Sequence, residues 1–248
     1  MSKQVVIDHL PESASHYKQD HAVIVVDVIR ASTTATTAVS LGREVYPAQT
    51  TDEAFILAEN LVDPIFAGEL GGNVPYGFDL TNSPVQIAAL TQIPSGYFTE
   101  DHRPIVLVSS SGTRLLVNAI GAPGLYVGCF RNFSAVAAYV ADKHDKVAVL
   151  GAGTRGEFRR EDQIGCSWIA GKLMEYGFAA ADQKTADIVE RWSNAELASL
   201  RNGRSAEYLK RSGQVHDLEF VLHHIDDLDI VPAWREGKLV PVAGKPVS

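Results

Sequence analysis

Short, mostly apolar runs recur along the chain, and each is followed by a polar loop and then by a segment with an apolar stripe at helical spacing. Such runs are typical of strands buried on both faces of a parallel sheet, and the striped segments are typical of the helices that cover it. The runs lie at residues 4–8, 23–28, 44–48, 64–67, 104–108, 125–128 and 147–150. This alternation predicts a three-layer α/β/α fold with a largely parallel central sheet, a mixed sheet being the variant, and right-handed crossovers.

The striped segments predict helices at residues 31–37, 51–60, 84–90, 115–120, 135–141 and 163–176. From about residue 185 the chain becomes helical and charged, and a short segment at residues 230–242 predicts an added edge strand. No shift in composition marks a boundary, so we expect residues 1–248 to form a single α/β domain with a helical C-terminal part.

The run at residues 23–28 ends in a charged turn. Asp27 comes at the end of the run, Arg30 follows it, and Ser32 and Thr33 open the next helix. A carboxylate, a guanidinium and a helix N-terminus therefore meet within a few residues, as they do in binding sites at the carboxyl ends of strands. The alternative is structural: Asp27 ends the strand and Ser32 caps the helix.

Other polar side chains also follow predicted strands. Because the carboxyl ends of parallel strands meet at one edge of a sheet, we expect these residues to form an anion-binding cleft that contains carboxylates. They are Glu69, Ser110, Ser111, Gly112, Thr113, Arg114, Arg131, Asn132, Arg155 and Asp162.

Three of the acidic residues are candidates for a metal site. Asp27, Glu69 and Asp162 offer hard oxygen ligands, which suit Mg²⁺. The alternatives are that Glu69 is a solvated loop carboxylate and that Asp162, with Glu161, only complements the dipole of the following helix.

The Ser110–Thr113 turn and the arginines are candidates for binding the oxygens of an anionic substrate. A Gly-containing turn before a helix presents N–H and O–H donors, and arginine offers a bidentate fork. We expect only two or three of the arginines near this edge to face the cleft.

Charge and composition narrow the class of partner. The 248 residues carry a formal net charge of −8, which argues against nucleic acid and leaves a small anionic substrate as the expected partner. No apolar run reaches the ~18 residues of a membrane span, and no signal peptide is recognisable, so we expect a cytoplasmic protein without a membrane partner. The two cysteines provide neither a disulfide framework nor a zinc cluster.

One motif suggests a different class of protein. Gly151, Gly153 and Gly156 form a G-x-G-x-x-G after a strand, which is the pattern of nicotinamide-dependent oxidoreductases. A helix should begin inside that motif and a strand ending in an acidic residue should follow about 20 residues later. Neither feature is present, so a flexible loop that carries Arg155 and Asp162 towards the site is the better interpretation.

Five motifs occur in one order along most of the sequence, and their combination is far more specific than any one of them. They are VVDVIRAST (25–33), GFDLTNSP (77–84), SSSGTR (109–114), VGCFRN (127–132) and GAGTRGEFRREDQIG (151–165). In these motifs the chain resembles the 2-phosphosulfolactate phosphatase family.

The resemblance implies a Mg²⁺-dependent phosphatase, of a kind first associated with coenzyme M biosynthesis, that converts 2-phospho-3-sulfolactate to 3-sulfolactate and phosphate. We expect catalytic roles for four residues, Asp27, Arg30, Glu69 and Asp162, with the three carboxylates on Mg²⁺. The substrate would contact Ser32, Thr33, Ser110, Ser111, Gly112, Thr113, Arg114, Arg131, Asn132 and Arg155.

Several alternatives stay open. Ser111 and Leu70 stand where the family commonly has an asparagine and a basic residue, so a related phosphorylated 2-hydroxy acid is an alternative substrate. Asp27 could bind the metal, attack phosphorus or position the water. A non-catalytic sensor of phosphate or an organic anion is the alternative function, and a homodimer is an allowed assembly.

Overall fold

The structure, a computed structural model, describes residues 3–90, 102–154 and 156–246. Its strands coincide closely with the apolar runs of the sequence. They are β1 Gln4–His9, β2 Ala22–Val26, β3 Val45–Ala48, β4 Ile65–Gly68, β5 Ile105–Val108, β6 Leu125–Gly128, β7 Lys146–Gly151, β8 Ala179–Ala180, β9 Val231–Arg235 and β10 Lys238–Ala243.

Helices follow most of these strands. They are α1 Ala14–Tyr17, α2 Ala31–Ser40, α3 Thr51–Ala58, α4 Pro84–Ala89, α5 Gly112–Asn118, α6 Phe133–Lys143, α7 Arg160–Glu175, α8 Gln183–Trp192, α9 Arg204–Arg211 and α10 Val215–His223. Side-chain oxygens of Thr50, Ser83 and Asp182 cap α3, α4 and α8 by accepting hydrogen bonds from backbone N–H groups in the first turn.

Two helices begin three residues earlier than predicted. α5 begins at Gly112 and α7 at Arg160, so the polar residues expected in the preceding loops lie in first turns instead. Thr113, Arg114, Glu161 and Asp162 are therefore held by helical backbone, which fixes where their side chains point.

The ten strands form one mixed sheet in the order β4-β5-β3-β10-β9-β6-β2-β7-β1-β8. Strands β4, β5 and β3 are parallel to one another, and so are β6, β2, β7, β1 and β8. Helices cover both faces, and the predicted three-layer α/β/α fold with a largely parallel, mixed sheet is confirmed.

The prediction of an edge strand at residues 230–242 is wrong. The segment forms the β9–β10 hairpin, which lies in the middle of the sheet and pairs antiparallel with β6 on one side and with β3 on the other. The edge interpretation failed because an antiparallel hairpin can join two parallel groups of strands that are far apart in the sequence.

The hairpin also changes the expected geometry of the loops. Since it is antiparallel to both neighbours, the β4–β5–β3 group runs opposite to the β6–β2–β7–β1–β8 group, and a flat sheet would place their carboxyl ends at opposite edges. Strands of a sheet twist by about 20–25° per step, which reduces this opposition over the five steps from β5 to β2. The loops after β2 and β5 do meet, at Asp27 and Gly112, although they do not share one parallel edge.

Large apolar clusters lie on the two faces of the sheet. Ile24 and Val26 of β2 point towards α6 and α7 on one face, whereas Val23 and Val25 point towards α2 and α5 on the other. Alternate residues of one strand thus enter opposite layers, which explains why β2 is apolar at every position. The residues that follow this rigidly packed strand are held in place by it.

Within residues 3–90, 102–154 and 156–246, no helix is both long and apolar enough to cross a membrane.

We predict that Ile169→Ala in α7 destabilises the fold by about 2–5 kcal/mol, because it empties a fully buried position against the sheet at Gly128. Chemical denaturation of the wild type and the variant measures the difference. Ile56→Ala is the matched control, since that side chain is 63% exposed and its truncation should change the free energy of unfolding by no more than about 0.5 kcal/mol. Equal losses at the two positions would contradict the packing described here.

Candidate active site

A polar cleft of about 640 Å³ opens at the carboxyl ends of β2, β4, β5 and β7. Its lining combines acidic, basic and hydroxyl side chains with glycines. The residues are Leu10, Pro11, Glu12, Asp27, Ile29, Arg30, Glu69, Gly71, Gly72, Asn82, Ser110, Ser111, Arg114, Ala152, Gly153, Thr154, Gly156, Glu157, Arg159, Arg204, Ser205, Tyr208 and Leu209.

Asp27 sits in a turn that is fixed by the start of α2. The Asp27 N–H donates to the Ser32 hydroxyl at 2.9 Å, and the Ser32 N–H donates to the Asp27 carbonyl at 2.8 Å. The Thr33 hydroxyl donates to the Val28 carbonyl at 2.8 Å. Ser32 and Thr33, predicted to bind substrate, are buried and hold the backbone of this turn, so their placement supports Asp27.

Asp162 lies behind Asp27 and is absent from the lining of the cleft. Its Oδ1 accepts the Val28 N–H at 2.9 Å, so the first turn of α7 is tied to the end of β2. Neighbouring Glu161 is also buried, and its Oε1 accepts a hydrogen bond from the Ser205 hydroxyl. Two buried carboxylates therefore support the floor of the cleft.

The electrostatics of this floor are unusual. Burial, followed by the negative charge of Glu69, raises the pKa of Asp27 from 3.8 to about 7, and Glu161 adds to the effect. Burial, followed by the charges of Asp27 and Glu161, raises the pKa of Asp162 well above its ordinary value. Raised pKa values that arise from burial and from neighbouring carboxylates are characteristic of functional carboxyl groups.

Glu69 links the loops after β4 and β5. Its Oε1 accepts the Ser110 N–H at 2.9 Å, and its Oε2 accepts the Gly72 N–H at 2.8 Å and the Ser110 hydroxyl at 3.2 Å. The Ser110 hydroxyl also accepts the Gly71 N–H at 2.9 Å. Ser110 thus organises this wall of the cleft together with Glu69.

The turn from β5 into α5 brings Gly112 directly against Asp27. A methyl group on Gly112 would overlap the Asp27 carboxylate and would lie 2.7 Å from the Ala31 Cβ. Ser111 lines the cleft, whereas Thr113 is buried and exchanges hydrogen bonds with Ser109. The first turns of α2 and α5 therefore meet at the carboxylate, although their strands belong to groups that run in opposite directions.

Arg30 lines the cleft and is 4% exposed. Its Nη1 donates to the Asp217 carboxylate at 2.5 Å and to the Gln214 side chain. Asp217 is itself fully buried. The guanidinium is thus anchored from the side of the C-terminal helices and presents its remaining N–H groups to the cleft.

The other predicted polar residues occupy different places. Arg114 lines the cleft but pairs with Glu12 at 2.8 Å. Arg131 is outside the lining and pairs with Asp227 at 2.7 Å. The amide of Asn132 is buried against backbone carbonyls of Val127 and Ile230.

Arg155 lies outside the described residues, so its predicted contact with substrate stays a prediction. The glycines around it are described on either side, and Gly153 and Gly156 line the cleft. α7 begins at Arg160, nine residues after Gly151, so the helix does not open inside the glycine motif as a dinucleotide-binding helix would.

Sequence reasoning missed several residues of the cleft. Arg204, Ser205 and Tyr208 reach it from α9, and the Tyr208 hydroxyl bonds the Gly72 carbonyl across the mouth. Asn82 lines the cleft with a buried Oδ1 that has no hydrogen-bond partner within the described part of the chain. Asn82 lies within the GFDLTNSP motif of the resemblance, whereas for Arg204 and Tyr208 the available signal was polarity in a helical segment, which surface residues share.

The acidic side chains of the cleft determine whether it can hold a divalent cation. Within residues 3–90, 102–154 and 156–246, no group of three or more His, Cys, Asp or Glu side chains is arranged to hold a metal ion. Asp27 and Glu69 nevertheless both face the cleft, and Mg²⁺ typically takes one or two carboxylates and keeps water or phosphate oxygens as its other ligands. The donor chemistry fits Mg²⁺ on these two residues, and a site that also includes Asp162 stays a prediction.

Comparison with known proteins identifies the family of this chain. A model of the 2-phosphosulpholactate phosphatase family matches residues 8–237, which is nearly the whole chain. The chain belongs to this family. The predicted class of phosphoric monoester hydrolase is thereby confirmed, and the glycine motif carries no oxidoreductase assignment.

Individual relatives extend over most of the chain. A probable 2-phosphosulfolactate phosphatase of Carboxydothermus hydrogenoformans is 33% identical over 90% of each sequence. The 2-phosphosulfolactate phosphatase of Methanocaldococcus jannaschii is 32% identical over 90% of this chain and 93% of its own. A probable 2-phosphosulfolactate phosphatase of Pseudothermotoga lettingae is 31% identical over 94% and 97%.

We predict that Asp27→Asn stabilises the protein at pH 8 in the presence of a chelator. The folded pKa of about 7 exceeds the unfolded value near 3.8, so this group's contribution is complete below about pH 4 and is lost as pH rises to about 7. The variant mimics the protonated acid, so its free energy of unfolding should exceed that of the wild type by on the order of 1–4 kcal/mol at pH 8 and match it near pH 4.

Denaturation at both pH values measures this difference. Asp142→Asn is the control, because that carboxylate is 73% exposed and its removal should change stability by no more than about 0.5 kcal/mol. A stability difference between Asp27→Asn and the wild type that does not vary with pH would refute the electrostatic explanation.

We predict that Gly112→Ala lowers phosphatase turnover by about tenfold to a hundredfold, because the added methyl group displaces the Asp27 carboxylate. Gly171→Ala in α7 is the matched control, since its methyl group would meet only Val189, at 3.8 Å. The control should retain turnover and thermal stability. Full activity in Gly112→Ala would show that the close contact with Asp27 is dispensable.

Proposed function

We propose that this chain is a Mg²⁺-dependent phosphatase that hydrolyses the phosphate monoester of a 2-hydroxy acid, with 2-phospho-3-sulfolactate as the first candidate. The observation that carries the proposal is the buried Asp27 carboxyl, of raised pKa, beside Arg30 in a polar cleft. A phosphoryl group requires both charges, because its oxygens need cations while the reaction needs a carboxylate to bind a metal or orient water.

The substrate follows from two lines of support. The relatives carry the name 2-phosphosulfolactate phosphatase, and the cleft contains arginines beyond Arg30 that could bind a second anionic group of the substrate. Arg114, Arg159 and Arg204 line it, each paired with a glutamate that lies in the lining as well. A carboxylate or sulfonate can replace such a glutamate as the partner of an exposed arginine at little cost.

Arg30 would bind the phosphoryl group. Two protein acceptors occupy its Nη1, which leaves Nε and Nη2 for a bidentate contact with two phosphoryl oxygens. The Ser110 and Ser111 region would add donors from the opposite wall. Uncatalysed hydrolysis of phosphate monoesters is among the slowest of biological reactions, so most of the barrier must be removed by positioning and charge neutralisation.

Asp27 and Glu69 would hold Mg²⁺, which when bound neutralises a phosphoryl oxygen and makes water more acidic. Asp27 is oriented for this role by the Ser32 turn and by close contact with Gly112. Asp162 would act from behind, since it fixes the Val28 N–H and with it the end of β2. Glu69 is oriented by the N–H groups of Gly72 and Ser110.

The proposal predicts that purified protein releases phosphate from 2-phospho-3-sulfolactate and, with different efficiency, from phospholactate. Chelation of Mg²⁺ should reduce release at least a hundredfold, and re-addition should restore it. Asp27→Asn and Glu69→Gln should each be as inactive as the chelated wild type. Colorimetric phosphate assays over a panel of phosphorylated 2-hydroxy acids measure these rates.

Other outcomes identify other functions. Tight binding of these substrates without turnover would favour a non-catalytic anion sensor. Undiminished turnover in chelator would remove Mg²⁺ from the mechanism. Equal activity on phosphate esters that lack a carboxylate would refute the assignment of a 2-hydroxy acid. Asp52→Asn, on the first turn of α3 and outside the cleft, should behave as the wild type.

A further inference from the structure

Arg30 is held by residues that the cleft itself does not contain. Asp217, in the first turn of α10, is fully buried, and its Oδ2 accepts a hydrogen bond from Nη1 of Arg30 at 2.5 Å. Gln214, immediately before α10, accepts a second hydrogen bond from the same nitrogen. Neither residue lines the cleft, so any effect on a bound molecule must be transmitted through Arg30.

The contacts orient the guanidinium as well as neutralise it. Both acceptors bind Nη1. Within the described residues, neither Nε nor Nη2 of Arg30 has a protein acceptor, and neither is among the buried atoms that lack a hydrogen-bond partner. The free edge of the fork therefore faces the accessible volume of the cleft. A guanidinium is planar, so two acceptors at one nitrogen restrict the direction of the opposite edge.

Asp217 is fixed by a third segment of the chain. Its Oδ1 accepts the hydroxyl of Ser83, which also caps α4 by accepting the Gln86 N–H at 3.1 Å. Both oxygens of the carboxylate are thus engaged, and rotation about the side chain would break contacts to α2 and α4 together. The neighbour of Ser83 is Asn82, which lines the cleft.

We propose that Asp217 and Gln214 are positioning residues that aim the Nε and Nη2 groups of Arg30 at an oxyanion of the substrate. The proposal rests on the proposed function only in that the oxyanion is taken to be the phosphoryl group. The C-terminal helix α10 thereby becomes part of the active site without touching the substrate. A structural role alone would require a countercharge for Arg30 but not this orientation.

A double-mutant cycle separates positioning from a purely structural role. Arg30→Ala, Asp217→Asn and the double variant are compared for the dissociation constant of inorganic phosphate, measured by calorimetry, and for kcat and KM on 2-phospho-3-sulfolactate. With Arg30 present, Asp217→Asn should weaken phosphate binding and lower kcat/KM by about tenfold or more. In the Arg30→Ala background, the same change should alter either quantity by less than about twofold.

Thermal stability is a second measurement, and it should respond to these substitutions differently from phosphate affinity. Arg30→Ala leaves Asp217 as a buried carboxylate without its cation, so adding Asp217→Asn should raise the melting temperature of that variant while leaving phosphate affinity unchanged. Equal losses of phosphate affinity in both Arg30 backgrounds would overturn the positioning role. If Asp217→Asn does not fold, Gln214→Ala enters the same cycle, because Gln214 is only half-buried.

Glu219→Gln is the matched control on the same helix. Its carboxylate pairs with Arg201 at 2.5 Å, outside the cleft, so phosphate affinity and kcat/KM should equal those of the wild type. Phosphate binding that follows the predicted cycle without turnover would support positioning and refute the proposed function. Turnover combined with an additive cycle would support the proposed function and refute the positioning role. A wild type that neither binds phosphate nor turns over substrate would refute both proposals.

Discussion

Uncompensated negative charge at the end of β2 is the constraint on which the architecture of the cleft depends. Asp27, Glu161 and Asp162 are all buried, and the nearby cation, Arg30, already has a buried partner in Asp217. Apolar side chains of similar volume would stabilise this region better than carboxylates whose pKa values are raised by burial and mutual repulsion. Carboxyl groups kept at such a cost in stability are characteristic of a functional site, and the proposed Mg²⁺ would supply the positive charge that this one lacks.

The other contacts of the site fix these carboxyl groups in position. Hydroxyl and amide groups of the backbone turns fix the end of β2, and Glu69 binds the loops after β4 and β5 to one another. The contacts of Asp162 and Glu69 each join two different strand–loop–helix units. The cleft therefore requires both groups of strands in place before its two walls can face each other.

Much of this could be predicted from the sequence, because strands buried on both faces have an unmistakable apolar pattern and Asp27 interrupts one of them. The hairpin could not, since Pro232 and Pro241 are typical of edge strands; they lie opposite each other beside a bulge, where proline is tolerated. Arg131 shows a second limit. An arginine after a strand can face a cleft or a carboxylate, and its partner Asp227 is 96 residues away, a contact that local pattern does not record. For this reason the fold and the family could be predicted from the sequence, whereas the orientation of individual side chains could not.

The central position of the β9–β10 hairpin has a consequence for biosynthesis. Among the described strands, it comes last in chain order, yet it joins the two groups that supply opposite walls of the cleft. During translation the two groups emerge from the ribosome before the strands that connect them, so each must persist for a time with an exposed edge. The complete sheet, and with it the two facing walls of the cleft, can therefore form only after residues 231–243 have left the exit tunnel.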